Sequence, residues 1–165
     1  MIASNVAGKE VARLSALYAL QILDTPAEER FDRIVRYAAS TFDVPVALIS
    51  LVDQNRQWFK AKVGIGVAET DRCVSVCDHA IRSRGIFEVE DLQADPRFAT
   101  NALVISSPYL RSYTGAPLLL PSGEAVGALC LIDFKPRLFG RLEHLVLEAL
   151  RNLVVEELMK APCNT

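Results

Sequence analysis

Cys73, Cys77 and His79 lie within one seven-residue stretch, and Cys130 stands far along the chain; these are the residues best suited to metal or thiol chemistry. Zinc needs thiolates and imidazoles that converge tetrahedrally, and it usually draws them from two closely spaced pairs. Cys73 and Cys77 make one tolerable pair, but no second Cys/His pair follows, because His144 stands alone on the last helical segment. No metal site is therefore expected. A nucleophilic thiol needs a nearby base or a helix N-terminus to favour the thiolate. Cys77 falls in the first turn of a short predicted helix, with His79 two residues on. The competing reading, which we favour, is that Cys77 packs inward as an inert thiol. Redox chemistry would also require the Cys77 sulfur to lie within disulfide reach of Cys73 or Cys130. Arg111 can hold a carboxylate or phosphate through two parallel hydrogen bonds. It can equally form an ion pair with Asp91 or Asp95. Asp95 precedes Pro96, a helix-start pattern, so capping suits it better than ligand binding.

The elements that position these residues follow from periodicity and punctuation. Residues 10–23 predict a helix with Val11, Leu14, Leu17, Tyr18 and Ile22 on one side. Thr25, Pro26 and Glu28 read as the capping start of a second helix over 26–41, whose stripe is Phe31, Ile34, Val35, Ala38 and Phe42. Val46–Val52 is apolar on both faces, as a central strand would be, and 56–63 returns beside it after the turn at Asp53. A long loop opens at Gly64. Ser75 and Asp78 can cap a short helix over 76–84, and a strand follows over 86–90. Pro121-Ser122-Gly123 joins strands 111–120 and 124–133 in a hairpin. The last helix, about 138–160, has two apolar faces. Leu142, Leu145, Val146, Ala149 and Leu153 form one; Leu147, Leu150, Val154 and Leu158 form another, roughly 125° round. One face can meet the sheet. The other needs cover from helix 10–23 or from a second subunit, and the 147–150–154–158 stripe is the expected dimer face.

The bulk properties narrow the function. A chain of 165 residues with 51% apolar residues fits one folded domain. Its net charge of −2 is spread without a long Lys/Arg run, so nucleic acid is not an expected partner. No apolar run approaches the ~20 residues of a membrane span, and the N-terminus lacks the pattern of a signal peptide. A cytoplasmic location with reduced thiols is expected.

Several segments together resemble the GAF domain family. They are Leu20-Gln21-Ile22-Leu23-Asp24-Thr25-Pro26, Val46–Val52 with Asp53, and Gln57-Trp58-Phe59-Lys60. Next come Cys77-Asp78-His79-Ala80-Ile81 and Asp91 with Asp95-Pro96-Arg97-Phe98. Arg111 to Leu118 and Gly127 to Asp133 complete the set. They cover about residues 11–160 and look like the bacterial branch found ahead of diguanylate-cyclase or histidine-kinase modules. The resemblance implies an α+β fold: a GAF-like central antiparallel β-sheet of five or six strands, helices on one face and a loop-covered pocket on the other. It gives one domain over 10–160, between flexible segments 1–9 and 161–165. It also implies dimerisation through the terminal helices, and an output kinase or cyclase as partner. No output module follows Thr165 in this sequence, which leaves a stand-alone protein or a piece of a longer one as alternatives.

In that fold Trp58, Cys77, His79, Asp91, Phe98, Arg111 and Tyr113 fall on the segments that ring the pocket, with aromatic walls and a few polar groups to orient a ligand. The first functional expectation is a non-catalytic sensory module that binds an unidentified small molecule and signals through a homodimer. The alternatives are a dimerisation scaffold with a filled pocket and a cysteine-dependent redox enzyme related to free methionine sulfoxide reductase. In bilin-binding relatives the chromophore cysteine directly precedes a histidine; here Asp78 intervenes, and no cofactor is expected.

Overall fold

The computed structural model describes residues 2–160; Met1 and residues 161–165, which include the expected flexible tail and Cys163, lie outside the described residues. Six strands form one sheet: β1 Val46–Val52, β2 Arg56–Val63, β3 Glu69–Asp71, β4 Phe87–Val89, β5 Ser112–Leu119 and β6 Ala125–Asp133. Their spatial order is β3-β2-β1-β6-β5-β4, and every neighbouring pair is antiparallel. The α+β architecture expected from the sequence is the one observed. β1 and β6 lie at the centre and are buried along their whole length. That is why their sequences are apolar without alternation: both faces of the sheet are covered.

The first face carries the long helices, α1 Ile2–Ala19, α2 Glu29–Phe42 and α5 Arg141–Met159. Ala47, Ile49 and Leu51 of β1 and Leu129 and Leu131 of β6 point into this layer. α2 meets it with Phe31, Ile34, Val35, Ala38 and Phe42, the stripe read from sequence. α1 contributes Leu17 and is held by Arg13, whose guanidinium donates to the Val52 carbonyl at 2.7 Å and to Glu10. The second face carries two four-residue helices, α3 Cys77–Ala80 and α4 Ala102–Ile105, joined by irregular segments. Val46, Leu48, Cys130 and Ile132 point into a separate core there, with Leu92, Phe98, Val104, Leu110 and Tyr113.

Several boundaries and faces differ from expectation, each for a local reason. α1 begins at Ile2, so residues 2–9, expected to be flexible, are helical. Within α1 Val11 and Tyr18 are exposed, and the inward position goes to Arg13, whose charge Glu10 balances. Thr25 does not cap α2. Its hydroxyl donates to the Ile22 carbonyl, and the helix starts three residues beyond Pro26, after an extended Glu28. β3 and α4 were not foreseen; each is too short to show a period. In α5 the faces are exchanged. Leu147, Leu150, Val154 and Leu158, expected at a dimer contact, are buried against the sheet and α2, whereas Leu142, Leu145 and Leu153 are exposed. Two apolar stripes on one helix give periodicity no means of choosing. At the helix entrance Phe139 packs edge-on against Phe42 at 5.6 Å. Among the described residues no helix is long and apolar enough to cross a membrane.

Candidate functional site

The loop-side face holds most of the residues that the sequence singles out. The first residue of α3, Cys77, lies over the centre of the sheet. Ser75 starts this turn by accepting from the Asp78 amide at 3.2 Å. Asp78 itself turns outward to Arg72 and Arg82, at 2.9 Å each. Beneath Cys77, Cys130 rises from β6 with its sulfur 3.8 Å from the Cys77 sulfur. Tyr113 of β5 lies beside both, and its hydroxyl donates to Cys77 Sγ at 3.0 Å. The ring fits because the residue two places along the same face is Gly115; a β-carbon there would stand 2.5 Å from the Tyr113 hydroxyl oxygen.

The electrostatics of the two thiols are linked. Cys130 is pushed well above its ordinary range, first by its hydrogen bond with Cys77 and then by burial. For Cys77 the hydrogen bond from Cys130 lowers the value, burial opposes it, and the Tyr113 hydroxyl lowers it further. The pair therefore ionises at Cys77 before Cys130. A polar chain runs alongside. Ser50 and Ser75 both donate to the Gln57 side-chain carbonyl, at 2.9 and 2.7 Å, and the Gln57 amide nitrogen donates to Thr70. Among the described residues no buried side-chain polar atom lacks a partner.

An aromatic cluster closes the remaining space. His79 meets Phe98 edge-on at 4.8 Å, and Phe87 lies 6.3 Å from Phe98 and 6.1 Å from Tyr113. Phe98 and Tyr113 are each only 1% exposed. Burial, followed by the charge of Arg82, lowers the His79 value and so favours the neutral ring. At the rim the Leu92 amide donates to the Arg111 carbonyl at 2.7 Å, which sets Asp91 opposite Arg111. The two form a bidentate pair at 3.1 and 3.0 Å, and the guanidinium holds the Asp91 carboxyl below its ordinary range. Arg111 thus spends its fork within the chain, on one of the two partners considered above. Asp95 accepts from the Arg97 amide at 2.9 Å and opens a turn over 95–100, not the helix read from Asp-Pro.

Of the seven expected site residues, Cys77, His79, Phe98 and Tyr113 meet in this cluster, with Asp91 and Arg111 at its edge. Trp58 does not. It lies in the core on the opposite, helix-bearing face, where it pairs in register with Leu51. The face between sheet and loops is filled by side chains rather than open. Open clefts lie elsewhere: one beside Trp58, Lys60 and Arg36, one between Gln21, Pro26 and Leu158, and one between α1 and the β5–β6 hairpin. Among the described residues no three His, Cys, Asp or Glu side chains gather as a metal site requires. Ser50, Gln57 and Phe87 join the site without having been singled out by the sequence, and of the two thiols weighed as partners for Cys77 it is Cys130 that lies in contact. Ser50 carried a signal, as the one polar residue inside the apolar run Val46–Val52.

The Gln57-Trp58-Phe59-Lys60 segment gains a role for each residue. Gln57 joins the polar chain, Trp58 and Phe59 enter opposite cores, and Lys60 anchors the α1–α2 connection. The Lys60 ammonium, fully buried, donates to Thr25 Oγ1 at 2.8 Å and to the Pro26 carbonyl at 2.6 Å, and pairs with Glu28 at 2.7 Å.

Known proteins resemble this chain in sequence or in fold. A cyclic di-GMP phosphodiesterase of Pseudomonas aeruginosa is 43% identical over 128 residues, which is 78% of this chain and 22% of that protein. The chain therefore spans about a fifth of the length of that relative. Among solved structures, the GAF domain of an Acinetobacter phosphoenolpyruvate-protein phosphotransferase superposes with a TM-score of 0.63 at 18% identity, covering 90% of this chain and 92% of that one. A type II free methionine-R-sulfoxide reductase from Thermoplasma acidophilum gives 0.64 at 15% identity, covering 78% and 89%. At such identities the likeness speaks to the fold alone. The sequence match is more specific: residues 26–158 fit the GAF domain model, from the Pro26 anchor of Lys60 to the buried end of α5 at Leu158, and the chain belongs to the GAF domain family.

Proposed function

We propose that the chain is a non-catalytic regulatory module that signals through a homodimer built on its terminal helices, with the loop-side face serving as a packed second core. The observation that carries this reading is the exposed apolar stripe of α5. Leu142, Leu145 and Leu153 are 75%, 53% and 47% exposed, and Leu138 and Met159 nearby are exposed as well. Covering a leucine contributes on the order of 1.5–3 kcal/mol, so a few per protomer suffice to support association. α1 adds Val6 and Val11 as further exposed apolar residues. Helices that end a regulatory domain are also a means of passing a change in packing to whatever follows. The relative's name suggests the kind of output: a catalytic module of cyclic di-GMP turnover, with a histidine kinase as the other candidate.

The test is assembly. Light scattering should find a dimer for the wild type and a folded monomer for Leu145→Glu with Leu153→Glu. A wild type that stays monomeric at high concentration overturns the proposal.

The sensor form of the reading, in which a small polar or anionic metabolite binds on the loop side, is favoured by the make-up of residues 64–110. Their regular elements are three or four residues long, so the cover is held by few ladder hydrogen bonds and can open locally. Entry would require Phe98 and Tyr113 to move. A metabolite thermal-shift screen decides it, because a ligand that prefers the native state raises the melting temperature.

A further inference from the structure

The geometry points to a redox modification site inside the loop-side core: Cys77 and Cys130 join in an intramolecular disulfide when a hydroperoxide reaches them. The two sulfurs are 3.8 Å apart and belong to different elements, α3 and β6. A disulfide bond is about 2.05 Å long, so the sulfurs need to approach by roughly 1.8 Å, shared between two side chains. All three described cysteines are free, and Cys73, the third, is exposed on the surface. The site has its own activating group. Cys77 accepts from the Tyr113 hydroxyl at 3.0 Å as well as facing Cys130, so negative charge on its sulfur is stabilised from two sides. Neither sulfur has a role in the regulatory function proposed above, and the inference does not depend on it.

The chemistry balances with a peroxide as the only oxidant. The Cys77 thiolate attacks the terminal oxygen of the hydroperoxide. The O–O bond breaks, its electron pair leaves with the alkoxide, and the alkoxide takes up the proton that Cys77 gave up. Cys77 is now a sulfenic acid. The Cys130 sulfur attacks the Cys77 sulfur; the S–O bond breaks, and the hydroxide leaves as water with the Cys130 proton. Two thiols and one hydroperoxide have become one disulfide, one alcohol and one water. The sulfurs have lost two electrons and the peroxide has gained them. An external dithiol reverses the change by exchange.

Burial sets the conditions. Cys77 and Cys130 are 2% and 0% exposed, so the peroxide enters through local opening of the short elements that cover the sheet. Once formed, the bond ties α3 to the central strand β6 and holds that cover shut.

The experiment uses the whole reduced chain and hydrogen peroxide. After exposure the remaining thiols are alkylated under denaturing conditions, and the protein is digested without reductant for mass spectrometry. The expected product is a peptide pair linked through Cys77 and Cys130, which dithiothreitol separates. Cys130→Ala should stop at a Cys77 sulfenic acid that dimedone captures, and Tyr113→Phe should slow formation of the bond. The wild-type peptide map stands by itself if either variant fails to fold. The inference is overturned if Cys73 is oxidised while Cys77 and Cys130 are still recovered alkylated. It is equally overturned if Cys77 links to Cys73, or if wild-type Cys77 is oxidised without a link to Cys130.

Discussion

Replacing Gly115 with alanine should destabilise the protein, although the same change at an ordinary strand position would do the reverse. Glycine leaves the unfolded chain with more freedom than alanine does, so a strain-free Gly→Ala change stabilises by about 0.4–1 kcal/mol. At Gly115 the added carbon would stand 2.5 Å from the Tyr113 hydroxyl oxygen and 2.7 and 2.8 Å from two ring carbons. The ring has nowhere easy to go. It is 1% exposed, with Phe87 centred 6.1 Å away and Cys77 at the end of its hydroxyl. Overpacking of a filled core costs about 1–3 kcal/mol, and loosening the bond to Cys77 about 1 kcal/mol more. The net expectation is a loss of about 1–3 kcal/mol, or roughly 2–12 °C in melting temperature for a chain of this size. The assay is thermal and urea unfolding of a double-mutant cycle with Tyr113→Phe. That variant removes the closest atom, so the alanine should cost less in its presence, with a coupling of about 0.5–1 kcal/mol. A stabilised Gly115→Ala protein, or strictly additive effects, would refute the close approach and with it the placement of Tyr113 over Cys77.

Two further predictions concern anchors outside the site. Lys60→Met keeps the apolar stem but removes the donors to Thr25, Pro26 and Glu28, and should lower stability by about 1–3 kcal/mol in urea unfolding; an unchanged midpoint would contradict the anchoring role. Glu10 is held down from 4.5 to about 2, by Arg13 first, against a burial penalty, and by Arg72 with it. As pH falls the unfolded chain takes up the proton before the folded one, so the stabilisation is complete above 4.5 and disappears as pH approaches 2. The melting-temperature gap between wild type and Glu10→Gln should therefore close over that window; a gap independent of pH would show that the carboxylate's charge contributes nothing.

The parts of the fold legible in the sequence are those where one physical rule acts alone. The stripe of α2 has a single apolar face, and Val46–Val52 is apolar on both sides, so periodicity decides each of them. Where two rules compete, sequence loses the decision. α5 presents two apolar stripes, and only tertiary packing distinguishes the buried one, Leu147-Leu150-Val154-Leu158, from the exposed one. Arg13 reads as polar surface by type, yet it is buried because Glu10 and the Val52 carbonyl satisfy it. The site shows the same division. Side chains of the Cys77–His79 and Asp91–Arg111 segments, grouped by type in the sequence, do gather on one face of the sheet. Trp58 was misassigned because strand alternation places neighbours on opposite faces, and nothing in the sequence of β2 says which of Trp58 and Phe59 turns toward the helices.

The sheet ends at β3 and β4, each three residues long. An open strand edge is a template on which another chain can add a strand, and long apolar edges invite fibres. Here each edge offers only a few backbone groups. β3 carries Glu69 and Asp71, and β4 carries Glu88, already committed to His144 and Thr114. Growth by strand addition is thus discouraged at both ends of the molecule. In the proposed helical dimer, contact between like faces closes into a pair instead of propagating.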